Sequence, residues 1–167
     1  MFKAGDRVIY GNSGISCVER VDVPDFQTFE RGKQYYFLRC EEDDSRIYAP
    51  VDTRVAMRAL MTANEAKALL QHLPDLPIQL PASRDHKIIT QHYQKLLQQH
   101  TAESLCCVVK SIHQRHKGAD GSIGRMTSAE ENVLKKAEHQ LCTELAAALS
   151  ISPADARDRL LAALRAK

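Results

Sequence analysis

The sequence predicts an α+β chain, with a small β-barrel over residues 1–61 followed by an all-α helical domain. Three observations carry this. The first third alternates apolar and polar residues between turn signals. From Thr62 the apolar residues recur at helical spacing instead. Two capping boxes, Thr62-Ala63-Asn64-Glu65 and Thr127-Ser128-Ala129-Glu130, mark helix starts.

In the front third, Asp6–Tyr10 alternates, with Val8 and Tyr10 on one face. Gly11-Asn12-Ser13-Gly14 is a turn, because glycine accepts the positive φ a tight reversal needs. Ile15–Val21 is a second strand. Val23-Pro24-Asp25 interrupts the pattern, and Arg31-Gly32-Lys33 is another turn. Lys33–Cys40 (KQYYFLRC) is the strongest strand signal, rich in aromatic residues. Glu41–Asp44 is an acidic turn, and Ser45–Ala49 returns to a stop at Pro50. A meander of four or five short strands curls into a barrel to cover its apolar face.

Residues 62–81 are read as a helix that ends before Pro74, then a Pro-containing linker over Asp75–Pro81. Residues 82–167 form the helical domain. Its helices span Ser83–Gln99 (Ile89, Tyr93, Leu96 and Leu97 inward) and Ala102–Lys117 (Leu105, Val108, Val109 and Ile112 inward). Gly118–Gly124 holds three glycines and reads as a loop. The next helix carries the stripe Leu134, Ala137, Leu141, Leu145, Leu149. Ser152-Pro153 starts the last one, with Leu160, Leu161 and Leu164 inward.

Composition excludes several classes. With 44% hydrophobic and 26% charged residues the chain is an ordinary globular protein. No apolar run reaches the ~18 residues a membrane helix needs. The N-terminus lacks the order of a secretory signal, so a cytoplasmic protein without a membrane partner is expected. Five cysteines (Cys17, Cys40, Cys106, Cys107, Cys142) form no disulfide framework or zinc pattern. Residues 1–62 hold 9 Lys+Arg against 10 Asp+Glu, whereas residues 63–167 hold 14 against 11 and all 7 histidines. The second part is therefore the one suited to touching phosphates.

No hydrolase elbow, zincin, P-loop or dinucleotide motif is present. His113 and His116, three apart, are placed for a metal shared with Cys106 or Cys107, or for a solvated helix end that complements the dipole. With no second ligand pair, the solvated end is the expectation, and neither an enzyme nor a cofactor is expected. Arg46 and Tyr48 share one face of an edge-prone strand, which suits either a partner strand or, as spacing alone favours, a core Tyr48 beside a solvated Arg46. Arg84, Lys87, Lys110, Arg115, His116, Lys117, Arg125, Lys135 and Lys136 are cations on the helical half that suit either phosphate contacts or a merely solvated surface, with Glu130 and Glu131 among them.

The stretches FKAGDRVIYGNSGISCVERV, KQYYFLRC, RIYAPVD and MRALMTANEA stand in this order. Together they resemble the CarD/CdnL family of bacterial transcription regulators. ESLCCVVKSIHQRHK and the segment from RMTSAEENVL to RLLAAL are similar to that family's helical domain. The resemblance implies a Tudor-like, SH3-like barrel that docks on the β subunit of RNA polymerase. It also implies a helical domain that contacts promoter DNA near the upstream edge of the −10 element and modulates open-complex stability. It implies no cofactor, a location at the nucleoid through polymerase, and a monomer.

By this resemblance the polymerase-binding residues are Val23, Asp25, Arg46 and Tyr48. The DNA-binding residues are Arg84, His86, Lys87, Lys110, Lys117, Arg125 and Lys135. The chain also departs from the family pattern. Gly11 follows Tyr10 where a proline is usual. The two docking arginines of the family fall near Pro24 and on Tyr48. There is no Trp to wedge into the minor groove, and the region reads Arg84-Asp85-His86-Lys87. The basic pair opening the family's fourth helix is Glu131-Asn132 here. An adaptor whose helical domain binds a protein instead of DNA is the alternative these departures leave open.

Overall fold

The computed structural model describes residues 1–120 and 124–166. The chain divides into two compact units, Met1–Leu60 and Met61–Lys167.

The first unit is an antiparallel five-stranded sheet. Its strands are β1 (Arg7–Tyr10), β2 (Ile15–Asp22), β3 (Tyr35–Cys40), β4 (Arg46–Pro50) and β5 (Met57–Ala59). Their order is β4-β3-β2-β1-β5, so β4 and β5 are the two edges. One face buries Val8, Val18, Tyr36, Leu38 and Ala49, with Tyr10, Val21, Ile47 and Met57 packed around them. Val8 and Tyr10 share that face as their spacing predicts. Ile9, across from Ile15, is buried on the other. Both faces of the sheet therefore hold buried side chains.

A bulge in β2 makes this pattern possible. The register against β3 shifts between Val18 and Arg20. Val18 and Val21, three apart, both reach the core because Glu19 and Arg20 share the outward step. Glu19 then meets Arg39 at 2.6 Å, and the Arg20 guanidinium lies 4.1 Å from the Phe37 ring centroid. β5 pairs with β1 through Ile9 and Arg58.

The turn between β1 and β2 is a short 3-10 segment, Gly11–Ser13. Gly11 has φ +46° and Gly14 φ +68°, the left-handed region that favours glycine. The Gly11 N–H donates to Ala56 O at 2.8 Å.

The second unit holds α1 (Ala63–His72), α2 (His86–Leu97), α3 (Ala102–His116), α4 (Ser128–Leu149) and α5 (Pro153–Arg165). Every helix starts at a side-chain N-cap: Thr62, Asp85, Thr101, Thr127 and Ser152. Both predicted capping boxes form, with Glu65 and Glu130 as the returning carboxylates. α2 starts at His86, three residues after the expected Ser83, because the Asp85 carboxylate accepts from Lys87 N–H. One core runs through all five helices, with Ala66, Tyr93, Ile112, Leu141 and Leu160 fully buried in it.

The segment read as a linker is held within this unit. A 3-10 turn, Leu73–Asp75, follows α1, with Leu73 fully buried in the helical core. Gln79 N–H donates to Ser111 Oγ at 2.9 Å, and His92 Nε2 donates to Gln79 O at 3.0 Å. The predicted glycine loop Gly118–Gly124 lies partly outside the described residues. Gly124 N–H donates to His116 O at 2.6 Å.

Candidate functional site

The β4 strand is one of the two edges of the first unit. Cys40 N–H donates to Ser45 O, and Val51 N–H donates to Gln34 O. Along an antiparallel ladder, bonded and non-bonded pairs alternate. Tyr36–Ala49 and Leu38–Ile47 are thus bonded pairs, and the N–H and C=O groups of Arg46 and Tyr48 point away from β3. Pro50 lacks an N–H at the next outward position, so it limits how far a partner strand can pair.

The side chains follow the same register. Tyr48 sits across from Phe37, and Arg46 across from Arg39. These four point away from the core that holds Tyr36 and Leu38. Tyr48 keeps 38% of its surface exposed, and Arg46 is exposed. Arg39 is neutralised by Glu19 at 2.6 Å and Asp44 at 3.5 Å. Arg46 has no carboxylate within ion-pair distance among the described residues.

Of the residues assigned to polymerase by resemblance, Arg46 and Tyr48 lie on this edge. Val23, 42% exposed, and the exposed Asp25 lie in the loop after β2. Sequence reading missed what that loop adds. Phe29 packs on Tyr48 at 5.5 Å and Tyr35 at 5.0 Å, and Phe26 packs on Phe29 at 6.2 Å. Two phenylalanines three apart in a segment bounded by Pro24 and Gly32 were the available signal.

On the helical unit the predicted cations divide. Arg84, His86 and Lys87 cluster at the start of α2 and are exposed, beside the exposed Ile88. Lys117 and Arg125 are exposed as well. None of these cations has an ion-pair partner among the described residues. Lys110 is engaged within the unit. Its Nζ donates to Pro74 O at 2.6 Å and Leu76 O at 2.5 Å, so its charge holds the turn after α1. Lys135 shares its ammonium with Glu131 at 3.1 Å.

The two histidines of α3 face carboxylates of α4. His113 Nε2 donates to Glu138 at 3.1 Å, and His116 Nε2 donates to Glu130 at 3.3 Å. Arg157 also approaches Glu138, at 3.6 Å. The His113 bond, aided by Arg157, holds the Glu138 carboxyl below its usual range. For Glu130 burial pushes upward, but the bonds from His116 and Thr127 win and the carboxyl is lowered. Burial pushes the Cys106 and Cys107 thiols up, away from the thiolate form a nucleophile or metal ligand needs. Among the described residues, no three His, Cys, Asp or Glu side chains gather as a metal site. No helix there is long and apolar enough to cross a membrane.

Residues 2–61 match the family model of the CarD-like/TRCF RID domain. No curated protein matches the chain.

Proposed function

We propose that this protein, whose residues 2–61 match the CarD-like/TRCF RID domain model, is a transcription regulator docking on the RNA polymerase β subunit. Docking runs through the β4 edge. Arg46 and Tyr48 supply both main-chain pairing and side-chain contact, and Val23 and Asp25 flank them. The observation that carries this reading is the outward N–H and C=O groups of Arg46 and Tyr48 in a unit of this family. Partner strands commonly add to such edges.

The helical unit then leans on promoter DNA near the upstream edge of the −10 element and modulates open-complex stability. Arg84, His86, Lys87, Lys117 and Arg125 are the contacts, with Lys135 partly screened by Glu131. They act through phosphates, so binding falls steeply with salt.

The test is direct. The full chain should bind core RNA polymerase at micromolar concentration and change open-complex lifetime. Absence of both effects rejects the reading. Arg84→Ala with Lys87→Ala should lower the salt slope of fork-junction DNA binding by about one for each phosphate no longer neutralised.

A second reading has its own support. Lys110 and Arg115 are turned to acceptors within the helical unit, and Lys135 pairs with Glu131 on the surface of α4. That favours an adaptor whose helical unit meets a protein. Polymerase binding with no DNA affinity at low salt selects it.

A further inference from the structure

We infer that the outer face beside β4 is an aromatic anchor site, and that Phe26 enters the partner. The inference rests on the polymerase-docking reading above and names the chemistry of the docked strand: extended, with an apolar side chain for the rings and an acidic one for Arg46.

The rings pack in a continuous chain. Phe37, on β3, meets Tyr48 at 5.0 Å; Tyr48 meets Phe29 at 5.5 Å; Phe29 meets Phe26 at 6.2 Å. Phe29 is half-buried between its two neighbours, and the chain ends in its most exposed ring. Phe37 is buried, Tyr48 is 38% exposed and Phe26 is 60% exposed. Phe26 therefore stands at the end of a braced stack, with Val23 also exposed nearby in the loop. Bracing matters because a side chain already restrained loses less entropy on binding. A contiguous exposed apolar patch is uncommon on a monomer without a partner.

The charges select the occupant further. Arg20 lies over Phe37, and Arg46 lies at the strand edge. Neither has a carboxylate within ion-pair distance among the described residues. Arg39, across from Arg46, is already neutralised by Glu19 and Asp44. The site thus offers two open guanidinium groups around an apolar centre. A purely apolar strand leaves those cations facing no counter-charge. A purely acidic strand leaves the rings wet.

The test measures the affinity of the full chain for core RNA polymerase, with thermal melting as a folding control. Phe26→Ser should weaken binding about tenfold or more, the size expected for an aromatic hot spot. Phe26→Leu, which keeps an apolar tip, should stay within about threefold of the parent. The effect of Phe26→Ser should persist between about 50 and about 300 mM salt, where exposed charge pairs are progressively screened. Should Phe26→Ser bind like the parent while Arg46→Glu weakens binding, charge alone docks the edge; the anchor is then rejected and the polymerase reading stands. Should the parent protein not bind polymerase at all, both fail.

Discussion

Tyr48 and Phe37 face each other across the β3–β4 ladder, ring centroids 5.0 Å apart and planes at 85°. Such edge-to-face pairs contribute about 0.5–1.5 kcal/mol beyond their buried area. The same pair fixes which main-chain groups are open, because Tyr48 occupies a non-bonded position of the ladder. Proline substitution should therefore separate docking from folding. Ala49→Pro removes an N–H bonded to Tyr36, leaves that buried acceptor unpaired, and should destabilise the unit by about 1–3 kcal/mol. Tyr48→Pro removes an N–H that points outward. It should cost less stability, chiefly the packing of the Tyr48 ring, yet weaken polymerase binding more than Tyr48→Ala does. Paired melting and binding measurements decide this. Equal binding by the Ala and Pro variants would mean that no partner strand uses this edge.

The first turn should reject the residue that is usual in the family the chain resembles. Gly11 has φ +46°, a value the proline ring cannot reach. Its N–H also donates to Ala56 O. Even an added Cβ would lie 2.8 Å from Val55 Cγ1. Gly11→Ala should cost about 1–3 kcal/mol, and Gly11→Pro more, since it also removes the bond to Ala56. Denaturant unfolding of both variants checks the order. A stable Gly11→Pro variant would show that this turn can be rebuilt cheaply.

Lys110 should behave as a structural residue. Its ammonium holds two carbonyls of the segment after α1. Lys110→Met keeps much of the stem and deletes the donor. It should cost about 1.5–3 kcal/mol, the range for hydrogen bonds to a charged group. The salt slope of DNA binding should not change. A slope lowered by about one, with stability intact, would restore Lys110 to the DNA surface.

These cases show where a sequence can be read and where it cannot. Both capping boxes and the Ser152-Pro153 start depend on neighbours within three residues, and they were visible. So were Val8 and Tyr10 on one face, since a strand alternates by geometry. The β2 bulge was hidden because it is defined only against β3. β5 was hidden because MRA is three residues beside a helical pattern, and it becomes a strand only by pairing with β1. Lys110 looked like any helix cation until a segment 34 to 36 residues away supplied its acceptors. The residues proposed for docking divide in the same way. Arg46 and Tyr48 followed from alternation, whereas Phe26 acquired meaning only through Phe29 and Tyr48.

Acid should loosen the helical unit through Glu138. Its carboxyl is held below the ordinary glutamate value of 4.5, first by the bond from His113 and then by Arg157. A carboxylate depressed in the native state binds protons more readily once unfolded. Its contribution is thus fully present above about pH 4.5 and is lost as pH falls through the depressed native value. Glu130, held low by His116 and Thr127 against its burial, acts in the same direction. Glu138→Gln should lower stability at pH 7 by about 1–3 kcal/mol. The gap between parent and variant should then narrow below about pH 4.5. Denaturant unfolding of the full chain from pH 7 down to about pH 3 measures both curves. A gap that stays constant across that range would mean that Glu138 contributes by packing, not by its charge.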